Sequence, residues 1–514
     1  MRSALLISTY EMGRQPFGLA SAAAWLRADG WAVACVDAAK ERLRDENLRG
    51  PELIAFHLPM HTATRLAGPA IAAARRVNPS ARICAFGLYA PLNAVWLRGL
   101  GADDVLGGEF EEALAAIARD VGKEPQRAPS TQNKAFSAVS VRGRILPRIH
   151  FLVPDRAGLP PLSRYATLQM PDGEHRLVGY TEASRGCRHL CRHCPVVPVY
   201  EGQFRVVQAD VVAADVAAQV AAGARHITFG DPDFFNGPTH AMRIVAGLYA
   251  AHPGVSYDVT IKVEHLLKHR ELVPQLAATG CGFVTSAIES VDDDVLRLFD
   301  KGHTRADVLA AVALCRESGV TLVPTFVAFH PWLTLTSYCD LLDTIDALDL
   351  VDHVSPIQLA IRLLVPQGSR LLELDEMRAH LAARGAIPSA FERRCLPSGG
   401  VAPPANTPGL VGRRALPGER IAALGAAMDL HHGLLGAFDA ETLTYRWAHP
   451  DPRVDELQRD VMALVGTRLT SDRRPLFDEV RALARERAGL PHPADTRPAR
   501  PRAAVPYLNE PWYC

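Results

Sequence analysis

The sequence has no excess of either charge. Its 514 residues carry 56 Lys+Arg and 56 Asp+Glu, so the basic face that a nucleic-acid partner requires is not expected. Long apolar runs are also missing. No window approaches the roughly 18 consecutive apolar residues of a membrane span. The opening Met1-Arg2-Ser3-Ala4-Leu5-Leu6-Ile7-Ser8 has too short an apolar run for a signal peptide, and no cleavage site follows. A cytoplasmic protein is expected. Cysteine is sparse: ten residues, at 35, 84, 187, 191, 194, 281, 315, 339, 395 and 514, cannot form a disulfide scaffold, which fits a reducing compartment. Internal repeats are absent. What remains is an ordinary globular balance of 48% apolar and 22% charged residues, in a chain long enough for about two to four domains.

Residues 1–122 alternate short apolar runs with amphipathic stretches. Ala4-Leu5-Leu6-Ile7, Val33-Ala34-Cys35-Val36, Leu53-Ile54-Ala55-Phe56, Arg82-Ile83-Cys84-Ala85-Phe86 and Asp104-Val105-Leu106 read as strands, with helices near 17–29, 64–77 and 110–120. That rhythm predicts a doubly wound parallel sheet. It lapses over 123–175, where Lys123–Lys134 is polar and Pro154, Pro160 and Pro161 follow; a linker wrapping over a neighbouring domain is expected. From 176 strands are expected at 177–181, 226–230, 256–262, 282–288, 321–327 and 353–360, and helices near 209–222, 239–251, 267–279, 304–318 and 335–348. Six βα units in series predict a partial barrel, with its chemistry on loops after the carboxyl ends of the strands.

Beyond 373 the pattern weakens to helices near 373–384, 419–435 and 453–467, a Gly/Pro-rich run from Pro397 to Pro408, and an extended arm over 488–506. The expected fold is α/β: a Rossmann-like domain over 1–122, a linker over 123–175, a (β/α)6 partial TIM barrel over 176–372, and a mainly helical region with a tail over 373–514.

The strongest chemical signal is Cys187-Arg188-His189-Leu190-Cys191-Arg192-His193-Cys194, a C-x3-C-x2-C. Thiolates are soft ligands for iron–sulfur clusters or zinc. Three of them on one loop hold three irons of a [4Fe–4S] cube and leave the fourth open, as catalytic metal sites leave a position free. A zinc knuckle is the competing reading, with His189 or His193 as fourth ligand. Zinc sites favour paired C-x2-C units, and no second pair exists. The triplet also follows the first strand of the βα series, where a catalytic loop belongs. Cys281, Cys315, Cys339 and Cys395 have no such spacing and read as small buried hydrophobes.

On this triplet and the βα series behind it, about 176–370, the sequence resembles the radical SAM superfamily. The resemblance implies a [4Fe–4S] cluster on Cys187, Cys191 and Cys194 that binds S-adenosylmethionine through its amino and carboxylate groups. Electron transfer then cleaves the sulfonium and yields a 5′-deoxyadenosyl radical. The loop Phe229-Gly230-Asp231-Pro232-Asp233-Phe234-Phe235 stands where the superfamily carries a Gly/Glu-type motif; Gly230 permits close backbone approach, and Asp231 or Asp233 can accept from the methionine ammonium. Thr285-Ser286-Ala287-Ile288-Glu289-Ser290 looks like a Gly-Ile-Glu-Ser strand end, which gives Glu289 to the ribose hydroxyls. Asp300-Lys301-Gly302-His303-Thr304 matches a Lys-Gly-His-Thr boundary and equally reads as a helix C-cap followed by an N-cap. Lys262 and Glu264 close the third strand. Arg362, ending the sixth, suits the methionine carboxylate. His330 is placed at the pocket mouth, as a proton donor or a helix cap. The implied partners are an electron donor of flavodoxin or ferredoxin type and a small-molecule or peptide substrate that no motif identifies.

Residues 1–122 resemble the cobalamin-binding domains that precede many radical SAM domains, and Gly107-Gly108-Glu109-Phe110-Glu111-Glu112 looks like their Gly-Glu-x-Glu signature. The lower-ligand Asp-x-His-x-x-Gly is missing: Tyr10-Glu11-Met12-Gly13-Arg14-Gln15 has no histidine, and the first histidine of the chain is His57. Cobalamin bound without histidine ligation and an empty Rossmann-like domain both stay open. Thr325–Phe329, Pro356–Leu364 and the final Glu510-Pro511-Trp512-Tyr513-Cys514 resemble one radical SAM family named for a Cys-Sec-Ala-Glu-Pro or Cys-Cys-Ala-Glu-Pro tail. That resemblance implies translation onward from Cys514 through a recoded selenocysteine codon. A non-catalytic iron–sulfur or corrin-binding sensor is the alternative from another class, and a zinc-binding protein is the third.

Overall fold

Short apolar runs can be buried on both faces only if helices cover both sides of a parallel sheet. The computed structural model, which describes residues 2–122, 149–382, 438–468, 473–491, 503 and 505–509, does this twice. In the first unit, strands β1 (Ser3–Ser8), β2 (Ala32–Asp37), β3 (Leu53–His57), β4 (Arg82–Phe86) and β5 (Asp104–Leu106) run parallel in the order β2-β1-β3-β4-β5. Separate apolar clusters fill the two faces, one around Ile54, Ile71 and Ile83, the other around Leu6, Leu26 and Leu114. The strand order reverses between β1 and β3, and that switch point is where open α/β sheets hold ligands. Helices Asp45–Arg49 and Ala94–Gly99 were not expected; neither is long enough to show a helical period.

The second sheet contains β6 (Thr167–Gln169), β7 (His175–Thr181), β10 (His226–Phe229), β11 (Ser256–Thr260), β12 (Cys281–Glu289), β13 (Leu322–Phe326) and β16 (Tyr507–Leu508). Two small ribbons stand apart: β8 (Ser184–Gly186) with β9 (Phe204–Val206), and β14 (Phe438–Asp439) with β15 (Thr444–Tyr445). Strands β7, β10, β11, β12 and β13 are mutually parallel, as a half-barrel requires. β6 and β16 extend the β7 edge antiparallel.

The sixth strand expected over 353–360 is not a strand. Pro356–Leu359 forms a 3-10 turn, and a single bridge between Phe329 and Arg362 holds the sixth position. Pro356 has no N–H for a ladder, and the Gln358 side chain accepts from the Phe326 amide at 2.9 Å, where a neighbouring strand's carbonyl would otherwise pair.

The expected helices at Ala209–Ala221, Pro238–Ala251, Arg305–Glu317 and Leu335–Ala347 are present. Thr304 and Thr334 close capping boxes on the last two. The helix expected at 267–279 is broken into Val263–Lys268, a turn Arg270–Leu272 and Val273–Ala278. In the last region Asp375–Ala382 and Pro452–Gly466 match expectation. Helix Arg473–Arg487 was missed, because its five arginines mask an apolar stripe of Leu476, Phe477, Val480 and Ala484. Those arginines anchor it: Arg481 and Arg485 pair with Asp343 and Asp346 at 2.6–2.9 Å.

Cys281, Cys315 and Cys339 are buried, as expected. Lys123–Lys134, Pro397–Pro408, the helix near 419–435, Cys395, Glu510–Cys514 and residues 492–502 and 504 of the arm lie outside the described residues.

Two clamps join the units. From the segment before β6, Arg156 donates to Asp215, to Gln15 Oε1 at 2.9 Å and to the Tyr180 carbonyl at 2.7 Å. From β8, Arg185 (7% exposed) donates to Glu111 (0% exposed) at 2.7 Å. Arg185 also pairs with Glu182 at 2.6 Å, and Ser21 donates to the same Glu111 oxygen at 2.7 Å. The rings of Phe17, Phe110 and Phe151 surround the guanidinium at 4.9–5.7 Å. Removing one partner of a buried ion pair strands the other charge. Glu111→Ala is therefore expected to destabilise the protein by about 3–5 kcal/mol in urea unfolding. By contrast, breaking the exposed Arg297–Asp294 pair is expected to cost about 0.5 kcal/mol or less.

Candidate active site

The cysteine loop is fastened from several sides. Gly186 enters it at φ +76°, where a Cβ would meet the Gln203 carbonyl at 2.4 Å, so this entry requires glycine. Asn236 accepts from the Arg188 amide at 3.1 Å and donates to the Gly186 carbonyl at 3.4 Å. The Arg192 amide donates to the Phe299 carbonyl at 2.9 Å, and its own carbonyl accepts from Leu371 N and Ser369 Oγ, both at 3.2 Å. Leu92, Val196, Val199 and Tyr200 form an apolar wall against Cys187 and Cys194.

Three thiols on one loop suit iron–sulfur ligation, whereas a single zinc would need a fourth ligand. The two histidines held open as zinc ligands have other contacts: His189 Nε2 lies 3.4 Å from Asp233 and His193 Nε2 lies 3.1 Å from Glu289.

The four expected cofactor-binding residues separate. Glu289 ends β12 at φ +71° beside a register shift in the β12–β13 ladder, a backbone position that a non-glycine residue holds only under constraint. Its carboxylate is 3.1 Å from His193 Nε2 and 3.5 Å from Lys301 Nζ. Burial alone would push its carboxyl up, but Lys301 and then His193 hold it at about 2, so it is an anion at neutral pH. Asp233 reaches the cysteine loop through His189. Burial works against its charge, yet His189 and His265 hold its carboxyl below the usual range. Asp231 turns back onto the end of the first strand, accepting from Ala183 N at 2.9 Å and Ser184 Oγ at 2.5 Å, and burial pushes its carboxyl up to about 7. Arg362 engages the C-terminal region instead: it pairs with Asp455 at 2.7 Å, donates to the Trp447 carbonyl at 2.8 Å and stacks on that indole.

The cap reading of residues 300–304 holds. Asp300 caps one helix, Thr304 caps the next, and Lys301 between them reaches Glu289. His303 contacts the Ile288 carbonyl at 3.2 Å. Gly230 permits a close approach, but by a side chain: a Cβ there would lie 1.7 Å from the Tyr180 hydroxyl. Lys262 Nζ is 3.2 Å from Glu264 and 3.0 Å from His189 Nδ1. His330 packs on Phe299, and burial lowers its imidazole to about 3, which takes a protonated His330 out of play at neutral pH. Asn236 and His265 were not anticipated, since an Asn after Asp-Pro and a lone His in a helix carry no spacing signal.

A cavity opens where the carboxyl ends of β1, β3, β4 and β5 face the end of β7 and the entry to the cysteine loop, with Glu11, Arg14, His57, Tyr180 and Arg185 among its lining. Glu11 Oε1 lies 2.6 Å from His57 Nδ1, and Arg14 stacks over the Tyr180 ring. The His57 ring lies flat against helix Phe17–Ala28, so close that a Cβ on Gly18 would meet its Nε2 at 2.2 Å. Beside the cavity, both Glu109 oxygens are buried without a hydrogen bond.

Residues 181–346 match the family model described as the Radical SAM superfamily. This stretch is a radical SAM domain. It runs from the end of β7 through the helix after β13 and contains the cysteine triplet, Asp231, Asp233 and Glu289. Two solved structures share the wider architecture. The radical S-adenosylmethionine methyltransferase TsrM from Kitasatospora setae, with tryptophan substrate and a SAM analog bound, is 18% identical, with a TM-score of 0.61 over 75% of this chain and 78% of that one. The cobalamin-dependent S-adenosylmethionine radical enzyme OxsB, with aqua-cobalamin and S-adenosylmethionine bound, is 12% identical, with a TM-score of 0.62 over 91% of this chain and 67% of that one. At such identities the likeness is one of fold: an N-terminal α/β domain set against a radical SAM half-barrel. No curated protein matches the chain.

Burial, opposed by Arg185 and reinforced by Glu111, raises the Glu109 carboxyl from 4.5 to about 7. A carboxyl raised on folding lends stability at low pH that is lost as pH rises through its folded value. Urea midpoints of the native protein should therefore fall between pH 4.5 and 7. Glu109→Gln should flatten that fall and leave the variant more stable at pH 8, by up to roughly 3 kcal/mol. An unchanged pH slope would remove Glu109 as its source.

Proposed function

We propose that the chain is a radical SAM enzyme acting by hydrogen abstraction or methyl transfer on a small molecule or peptide. The observation that carries this is the cysteine triplet, fixed on the loop after the first half-barrel strand inside the stretch that matches the radical SAM family model. Cys187, Cys191 and Cys194 would hold a [4Fe–4S] cluster. When bound, that cluster supplies the electron that cleaves S-adenosylmethionine. Glu289, ionised and oriented by His193 and Lys301, would accept hydrogen bonds from the ribose hydroxyls of the cofactor. Asn236 holds the loop in register, and the wall of Leu92, Val196, Val199 and Tyr200 excludes water from one side of the triplet. An electron donor of flavodoxin or ferredoxin type would complete the reaction, in the cytoplasm.

The site for cobalamin, which is bound in the solved OxsB structure, would be the interdomain cavity, at the switch point of the first sheet and facing the cysteine loop. Among the described lining residues the one imidazole is His57, whose Nε2 is packed on the Gly18 backbone; cobalamin would bind without histidine ligation. The domains would be 1–122, 176–372 and 373–514, joined by 123–175. Thr325–Phe329 and Pro356–Leu364 support membership of the tail-named radical SAM family.

Anaerobic reconstitution with iron, sulfide and a strong reductant tests the reading. Cleavage of S-adenosylmethionine to 5′-deoxyadenosine is expected, falling to background in Cys191→Ala. A cluster that forms without any cleavage would support a sensor instead. With cobalamin supplied, corrin absorbance should co-purify with the protein, and its absence would empty the cavity of that role.

A further inference from the structure

Beside the cysteine loop stands a second set of ligand-type side chains. Asp233 follows β10, His265 lies in helix Val263–Lys268, and His189 belongs to the cysteine loop itself. Asp233 is 1% exposed and His265 7%. Asp233 Oδ2 lies 2.7 Å from His265 Nδ1 and 3.4 Å from His189 Nε2, and all three atoms fall within 4.8 Å of one another. None of these contacts is an aligned hydrogen bond: Oδ2, His265 Nδ1 and His189 Nε2 are each buried without a hydrogen-bond partner. The carboxylate pairs with both imidazoles yet makes an aligned hydrogen bond with neither, a convergence that a shared cation would satisfy.

We infer that His189, Asp233 and His265 bind a mononuclear divalent transition-metal ion, separate from the ion cluster of the cysteines. Cis ligands about 2.1 Å from one metal stand roughly 3.0–3.4 Å apart; the His189–Asp233 separation of 3.4 Å lies at the upper end of that range and the His265–Asp233 separation of 2.7 Å just below it. Two imidazoles and one carboxylate suit zinc or iron(II), and three protein ligands leave a position open. The surroundings are built for it. Asp233 Oδ1 accepts from the Phe235 amide at 3.2 Å, which fixes the carboxylate and leaves Oδ2 for the ion. His189 Nδ1 faces Lys262 Nζ at 3.0 Å and Glu264 at 3.6 Å; on metal binding it would carry its proton and turn from accepting from Lys262 to donating to Glu264.

Cobalt(II) is the probe, used on the tag-free full-length chain with Cys187, Cys191 and Cys194 all changed to Ala, so that neither cluster nor thiol–metal binding intervenes. One equivalent of Co2+ with visible d–d absorption, displaced by Zn2+, is expected. His265→Ala and Asp233→Asn should each abolish it, and Glu264→Gln should weaken it about 10–100-fold. No stoichiometric binding by folded protein, or binding that His265→Ala leaves unchanged, overturns the site. If the triple variant does not fold, the same titration on cluster-loaded native protein decides. A cobalt signal that His265→Ala removes, with cluster absorbance intact, supports the site, and no such signal refutes it. Neither outcome depends on cleavage of S-adenosylmethionine.

Discussion

The arrangement depends on a guanidinium buried between two domains. Arg185, in β8 two residues before Cys187, plugs into Glu111 of the N-terminal domain, with Glu182 on its other side and three phenylalanine rings around it. Buried charges of this kind add little net stability against an apolar substitute, but they strongly penalise any geometry that separates them. The pair therefore acts as a register device. It fixes the entry to the cysteine loop relative to the carboxyl ends of the first sheet, and so sets the walls of the cavity between them.

From that fixed entry the loop is tied outward in turn: by Asn236 after β10, by the Phe299 carbonyl after β12, and by Ser369 and Leu371 beyond the sixth position. Each tie comes from a different βα unit. A half-barrel thus does what a single loop cannot: it fixes three soft ligands on one loop and brings charged groups from neighbouring strand ends beside them. Glu289 shows the electrostatic consequence. Its buried carboxylate stays ionised because Lys301 and His193 converge on it, and its left-handed backbone turns the side chain at the strand end.

Much of this was legible in the sequence because it rests on period and spacing. Alternating apolar runs gave both parallel sheets, and C-x3-C-x2-C after the first barrel strand gave the cluster loop. What failed was set by tertiary contacts. The sixth strand reads as apolar and extended, yet Pro356 and the Gln358 side chain replace its ladder. Arg362 suits a carboxylate anywhere, and only the fold shows it taken by Asp455 and Trp447. Helix Arg473–Arg487 is legible only once Asp343 and Asp346 are known to face its arginines. His265 joins Asp233 across two strands, a relation no local window contains.

The central claim is that the cysteine triplet carries a [4Fe–4S] cluster with one iron open to S-adenosylmethionine. Electron paramagnetic resonance of the anaerobically reconstituted, reduced protein tests it most directly. A reduced [4Fe–4S] signal that changes shape when S-adenosylmethionine is added is the expected result. A protein that shows no such signal, or one whose signal S-adenosylmethionine leaves untouched, would contradict it.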